Sequence, residues 1–424
     1  MSYQTNITVL GKARYPSPLR RCVDDAALVP ETIVSRNGAA LKSEQFFELA
    51  GARSKLFFSP ARTRAGIVTC GGLCPGLNDV IRSLFFELHH AYGVQEVLGF
   101  RWGYQGLDPK QGEKPLVMTH SMVDGIHLQG GSMLGTSRGP VDVRRAVENL
   151  IRLRVNILFT IGGDGTQRGG NDLFVEARRR GYALAVVGVP KTIDNDVPFV
   201  TRTFGYLTAV QEAGKVLERA HTEARSVQNG ISLVKVMGRH AGFLAAGATV
   251  ASQDVNFALV PEVPFRLEGK RGFLTALQQR IMKRGHAVIV LAEGAGQELL
   301  EKGEHRRDAS GNVKLKDIGW FLRERIEQWF KERKIPIVMR YFDPSYFVRS
   351  SPANSEDSIL CDLYARHAVH AAMAGKTGLI IGYLHNQFIH VPIGLLGTQR
   401  KRLDPDGTVW SAVLATTGQA HSFM

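Results

Sequence analysis

Cysteine is scarce in this 424-residue chain. Its four cysteines, Cys22, Cys70, Cys74 and Cys361, are too few and too scattered for a disulfide framework. Cys70 and Cys74 flank a glycine turn with no histidine or further cysteine beside them, which argues against zinc. No uncharged apolar run of about eighteen residues occurs, so no membrane span is expected. The opening MSYQTNITVLGKARYPS lacks the basic stretch and apolar core of a secretory signal, and a cytoplasmic protein is expected. Gly71, Gly72 and Gly76 miss the dinucleotide spacing and the P-loop lysine motif is absent, so neither hydride transfer nor a P-loop ATPase is supported. Short internal repeats are also missing.

Acidic residues are outnumbered 39 to 53 by lysine and arginine, a formal net charge of +14. The basic residues are spread along the chain without an aromatic-basic RNA motif or basic helix, which excludes nucleic acid as the expected partner. Anionic small substrates fit better. Much of the excess, such as Arg178–Arg180 and Arg306–Arg307, reads as solvated surface. With 44% hydrophobic residues, a chain of this length buries a large core and is expected to divide into two domains.

What is present centres on residues 161–196. The apolar run from Val155 to Thr160 reads as a strand and leads into IGGDGT, Ile161 to Thr166, then a helical pattern from about Gln167 to Arg180. Three glycines around one carboxylate admit a polyphosphate close to the backbone, and the following helix aims its first amides at the same place. Asp164 is then placed for a metal ion. A second buried-strand run, Leu184 to Val189, ends in PKTIDND, which supplies Lys191, Asp194 and Asp196. Either turn alone is a common loop or helix cap. Two in consecutive strand-turn-helix units of a parallel sheet should share one cleft at the strands' carboxyl ends.

The same alternation runs along most of the chain. Ala65–Cys70 reads as a strand, GGLCPGLN as a glycine turn, and Asp79–His90 as a helix. Val94–Phe100 is a further strand, and GGSMLGTSRG sets Arg138 among small residues. Beyond Asp196, helices are expected at 205–221, 241–251, 270–284 and 356–374. Strands are expected at 231–237, 287–292, 335–339 (delivering Arg340 at its end) and 378–383. Ile318, Phe321, Leu322, Ile326, Trp329 and Phe330 recur at helical spacing and read as core. Alternating strands and helices predict an α/β protein of two doubly wound, Rossmann-like domains with parallel-rich sheets, preceded by an N-terminal extension.

Taken in order, GGLCPGLN, LGTSRG, IGGDGT, PKTIDND, KVMGRHAGF, LAEGAG and RYFDPSYFVR resemble the 6-phosphofructokinases. The long, ATP-using branch of plants and trypanosomatids is the nearer likeness, through the lysine before TIDND and the C-terminal HVPI and VWSAVLATTGQ. The resemblance implies the phosphofructokinase fold and a transferase that moves the terminal phosphoryl group of ATP, with Mg2+, to the 1-hydroxyl of fructose 6-phosphate in glycolysis. It divides the chain into an extension (1–60), an ATP/Mg-binding domain (61–205), a sugar-phosphate domain (206–350) and a C-terminal segment (351–424) packing back on the nucleotide domain.

By the same resemblance Asp194 is the base, a task for which an ordinary carboxylate pKa suffices, with Thr192, Lys191 and Arg239 as its catalytic companions. Asp164 holds magnesium, and Gly72, Tyr104, Arg138, Gly163, Gly165, Thr166 and Gly169 line the nucleotide site. Thr192, Asp194, Asp196, Met237, Gly238, Arg239, Glu293, Arg340, Tyr346 and Arg349 bind the sugar phosphate. Some of these contacts cross subunits in the family, which implies a homodimer or homotetramer. Gly165, an aspartate in pyrophosphate users, favours ATP, whereas Lys191 is typical of pyrophosphate users. A pyrophosphate-dependent enzyme and a catalytically silent sugar-phosphate-binding subunit are the alternatives. Tyr346 replaces a histidine and Gly230 an arginine of short bacterial relatives, which leaves part of the sugar site without its usual donor.

Overall fold

Two parallel-cored sheets carry the molecule. A computed structural model describes residues 3–34, 45–300, 315–397 and 400–424; Arg306 and Arg307 lie outside this range. The larger sheet has nine strands in the order Leu28–Pro30, Phe46–Leu49, Gln387–Pro392, Leu379–Leu384, Ala185–Pro190, Ile157–Gly162, Arg64–Thr69, Glu96–Phe100 and Leu116–Val117. The five strands from Leu379–Leu384 to Glu96–Phe100 run parallel, and the flanking strands are antiparallel. The smaller sheet is parallel throughout: Phe257–Leu259, His286–Ala292, Gly230–Val236 and Val338–Phe342.

The central strands are unbroken apolar runs because both of their faces are covered. Every residue of Ile157–Gly162 and Ala185–Pro190 is buried. Helices begin where the sequence offers a cap. Asp142 accepts the Arg145 N–H, Asn354 that of Asp357, and Asp317 those of Gly319 and Trp320. The stripe on the Ile318–Glu332 helix is core: Ile318, Leu322, Ile326 and Phe330 are fully buried, with Phe321 and Trp329 packed against them. The triplet at 178–180 ends the Asp164–Arg179 helix at the surface, where Arg179 and Arg180 both pair with Glu176.

Two expectations are corrected. The helix after GGLCPGLN is Leu77–Phe86 and finishes in a π turn, Glu87–Ala91. The strand expected at 335–339 is Val338–Phe342, because Ile335 still bonds to the Phe330 carbonyl and Pro336 has no N–H for a ladder. Arg340 therefore sits in mid-strand, opposite Ser232, not at the strand's end. The large sheet is mixed: the positive-φ pair His385–Asn386 (51° and 62°) turns Leu379–Leu384 back into an antiparallel hairpin. Leu28–Pro30 and Phe46–Leu49, in a region of weak periodicity, add two strands to that hairpin's edge. No helix among the described residues is long and apolar enough to cross a membrane.

Candidate active site

The carboxyl ends of Ile157–Gly162 and Ala185–Pro190 open onto a cavity of about 740 Å³ that Asp164, Asp194 and Asp196 line together. Local chemistry builds each wall. Gly162 must be glycine, since a Cβ there would sit 2.1 Å from Thr166 Oγ1. The chain then enters the Asp164–Arg179 helix with Gly163 as its cap, so the first-turn amides face the cavity. Gln167 donates to the Gly162 carbonyl at 2.9 Å and to that of Val189 at 3.3 Å, while the Lys191 N–H donates to Gly162 at 3.1 Å. The two acidic turns are thus fastened to each other.

The second turn is held from within. Thr192 Oγ1 accepts the Asp194 N–H at 3.0 Å and donates to Asp196 Oδ1 at 3.1 Å. Asn195 takes a positive φ of 54°, which asparagine tolerates, and its Oδ1 accepts the Thr203 N–H at 3.0 Å. Lys191 is buried and donates from Nζ to the Gly72 carbonyl at 2.6 Å, joining this turn to the glycine loop after Arg64–Thr69. The Gly71 N–H donates to Ser137 at 3.0 Å, which fixes the loop bearing Arg138. Beside Gly72 the guanidiniums of Arg138 and Arg349 approach the same point, 3.1 and 3.8 Å from where a Cβ would stand. Tyr104 donates to the Thr166 carbonyl at 2.5 Å and lies against Gly169, where a Cβ would meet its ring at 2.5 Å. At Gly165 a Cβ would meet only Arg168, at 3.9 Å, so the space in front of that residue is open.

Crowded acids set the electrostatics. Burial raises Asp194 well above the usual carboxylate range, and Asp196 and Glu293 push in the same direction; the Arg239 backbone N–H and side chain pull against them. Asp194 Oδ1 is shut from solvent without a partner. Asp164 is raised by burial and by Asp196, with Arg168 and Arg400 opposing. Asp196 and Glu293 are also raised by burial. Burial lowers Lys191, and it lowers His240 to about 4 with help from Arg400, Arg239 and Arg402.

Among the described residues no three His, Cys, Asp or Glu side chains form a ready metal cage. Magnesium does not require one, since it takes one or two carboxylates and keeps waters and substrate phosphates as its other ligands. Asp164 and Asp196, which line the same cavity and repel one another electrostatically, and the unpartnered Asp194 oxygen fit such a cation.

Gly72, Tyr104, Arg138, Gly163, Asp164, Gly165, Thr166, Gly169, Lys191, Thr192, Asp194, Asp196, Met237, Arg239, Glu293 and Arg349 all line the cavity. Gly238 does not, although its carbonyl accepts the Gly294 N–H at 3.1 Å and so sets the turn below Arg239. Arg340 and Tyr346 also stay outside it within one chain. Arg340 points to Glu223 at 3.6 Å, and Tyr346 is 73% exposed. Sequence reasoning missed Arg168, Asp172, His240 and Arg400, all of them in the wall. Arg168 and Asp172 follow Asp164 at helical spacing, a signal that was available. Arg400 comes from the far end of the chain. Next to it, Lys401 donates to the Val200 and Thr201 carbonyls at 2.8 Å each, and the Leu403 N–H donates to Glu262 at 2.9 Å.

A family model described as Phosphofructokinase matches residues 64–372. The chain is 45% identical, over 88% of its length and 85% of the relative's, to an ATP-dependent 6-phosphofructokinase of Borreliella burgdorferi. It is 46% identical to the ATP-dependent 6-phosphofructokinase of Trypanosoma brucei brucei, over 87% of this chain and 76% of that one. Its fold is similar to the crystal structure of a pyrophosphate-dependent phosphofructokinase from Marinobacter aquaeolei, with a TM-score of 0.69 at 21% identity, covering 85% of this chain and 93% of that one. At that identity the likeness speaks for fold alone.

Proposed function

The chain belongs to the phosphofructokinase family, and from that premise we propose that it is an ATP-dependent 6-phosphofructokinase whose reaction centre is the cavity between the two acidic turns. The observation that carries this reading is the convergence of Asp164, Asp194 and Asp196 beside the buried Lys191 and the guanidiniums of Arg138, Arg239 and Arg349. Phosphoryl transfer needs alignment, compensation of oxygen charge and a base near the acceptor hydroxyl.

Asp194 takes the proton of the fructose 6-phosphate 1-hydroxyl as that oxygen attacks the terminal phosphorus of ATP. The bond to the bridging oxygen breaks, and ADP leaves. Asp194 Oδ1 makes no hydrogen bond among the described residues, which leaves that oxygen available to the hydroxyl proton. Thr192 holds the turn that aims it, and Asp196 steadies Thr192 from the other side. Magnesium, held by Asp164 with Asp196 in support, would neutralise the donor's phosphate oxygens. Arg138, Lys191 and Arg400 face the polyphosphate, with the open space at Gly165 leaving room for a nucleotide. Glu293, Met237 and Arg239 receive the sugar, and Arg349 its 6-phosphate.

Arg340 and Tyr346 turn outward from their own chain's cavity, which supports a homodimer or homotetramer in which a neighbour receives them. We place the reaction in the cytoplasm. The test is a side-by-side assay of the purified protein with fructose 6-phosphate and magnesium, using ATP and then pyrophosphate. Fructose 1,6-bisphosphate formed with ATP is expected. Turnover with pyrophosphate equal to or above that with ATP would overturn the donor, and no turnover with either would leave a silent binding subunit.

A further inference from the structure

One flank of the Asp164–Arg179 helix forms the floor of the cavity: residues 164, 165, 168, 169 and 172 all line it. These positions fall on one side of an α-helix, and eight residues advance the chain by about 12 Å. The helix therefore works as a ruler. Asp164 marks the phosphate end, Gly169 lies against Tyr104 midway, and Asp172 stands at the far end. Pro140, Val141 and Val143 line the same cavity, and the two valines pack against the core cluster that holds Tyr104 and Leu173, the residue after Asp172. An apolar wall in a cavity whose floor runs about 12 Å from Asp164 to Asp172 suits a base ring. The Asp172 side chain is exposed and makes no ion pair among the described residues, so it is not tied up in holding the fold.

We infer that Asp172 reads the nucleobase of the donor, accepting a hydrogen bond from the 6-amino group of adenine. The inference rests on the proposed ATP-dependent reaction and adds the residue that chooses among nucleoside triphosphates. A carboxylate only accepts hydrogen bonds. It therefore favours amino bases and opposes the oxo group of hypoxanthine, guanine or uracil, whose lone pairs face its own charge. Arg168, one turn nearer the phosphates, keeps that charge from repelling the polyphosphate.

ATP and ITP differ at the 6-position, so the ratio of their kcat/KM values isolates the contact. The wild type should prefer ATP by roughly tenfold or more, and Asp172→Ala should bring the ratio to about unity, the scale expected when one hydrogen bond decides selectivity. Asp172→Asn, which has the same shape and both donor and acceptor atoms, should also erase most of the preference; it carries the test if the alanine variant misfolds. The ratio of ATP to 2′-deoxy-ATP should stay as in the wild type. An ATP:ITP ratio unchanged in both variants overturns the inference. So does a shift confined to the deoxy comparison, which would place Asp172 on the ribose. Wild-type protein that turns over ATP while showing these results leaves the kinase reading standing; wild type inactive with every nucleotide removes both.

Discussion

Gln167 donates its side-chain amide to the Gly162 carbonyl at 2.9 Å, and through that one bond the start of the Asp164–Arg179 helix is tied to the end of the strand before it. The same nitrogen lies 3.3 Å from the Val189 carbonyl, so one buried side chain reaches the ends of both strands that lead into the acidic turns.

Gln167→Ala should therefore affect both stability and catalysis. The Gly162 carbonyl keeps the Lys191 N–H, so losing the side-chain bonds costs on the order of 1 kcal/mol, and urea unfolding should show a loss of that order. The turnover number should fall with it, because the spacing of Asp164 and Asp194 is no longer fixed. A variant as stable as the wild type would show that the turns are held by other means.

Asp194→Ser removes the proposed base and leaves a small polar side chain. Turnover should drop by about two to four orders of magnitude, the range for a general base, while fructose 6-phosphate still binds in calorimetry. Turnover near that of the wild type would exclude the role.

Arg349 shares the rim at Gly72 with Arg138 but stacks on Tyr346, its guanidinium 4.5 Å from the ring centre. Arg349→Ala should raise KM for the sugar phosphate by roughly ten- to a hundredfold with a smaller change in kcat, as loss of uniform binding predicts. A selective rise in KM for ATP would instead assign this guanidinium to the donor.

Acid should weaken the fold through histidines far from the cavity. Burial lowers His367 to about 4 and His370 to about 3, below an unfolded value of 6.5. His370 Nδ1 and the Tyr92 hydroxyl share a hydrogen bond at 2.8 Å and His367 stacks on Phe388, in surroundings whose burial favours the neutral rings. A folded pKa below the unfolded one means the stability is complete above about 6.5 and is lost as the pH falls toward 3–4. The loss per histidine should reach on the order of 3 kcal/mol near pH 4. Melting temperature against pH should flatten in that window for His370→Gln relative to the wild type; parallel curves would refute the assignment.

Much of this was legible in the sequence because the glycine turns are local devices. The IGGDGT and PKTIDND stretches carry their own geometry, in the close approach of Gly162 to Thr166 and the bonds of Thr192. Periodicity located the strands on which they sit. Other features depend on distant partners. Arg340 was misplaced because Pro336 delays its strand, and its outward direction follows from pairing with Gly230–Val236. Arg400 looks like part of a charge run. It reaches the cavity only because Lys401 and Leu403 dock on carbonyls and a carboxylate from far earlier in the chain. The edge strands near Leu28 and Phe46 have no pattern of their own; the hairpin at Gln387–Pro392 supplies their register.

The Asp194 carboxyl also accepts the backbone N–H of Arg239, a residue that follows the first strand of the smaller sheet. The proton acceptor thus belongs to both halves of the molecule at once. A shift of the smaller sheet away from the larger would strip it of that partner.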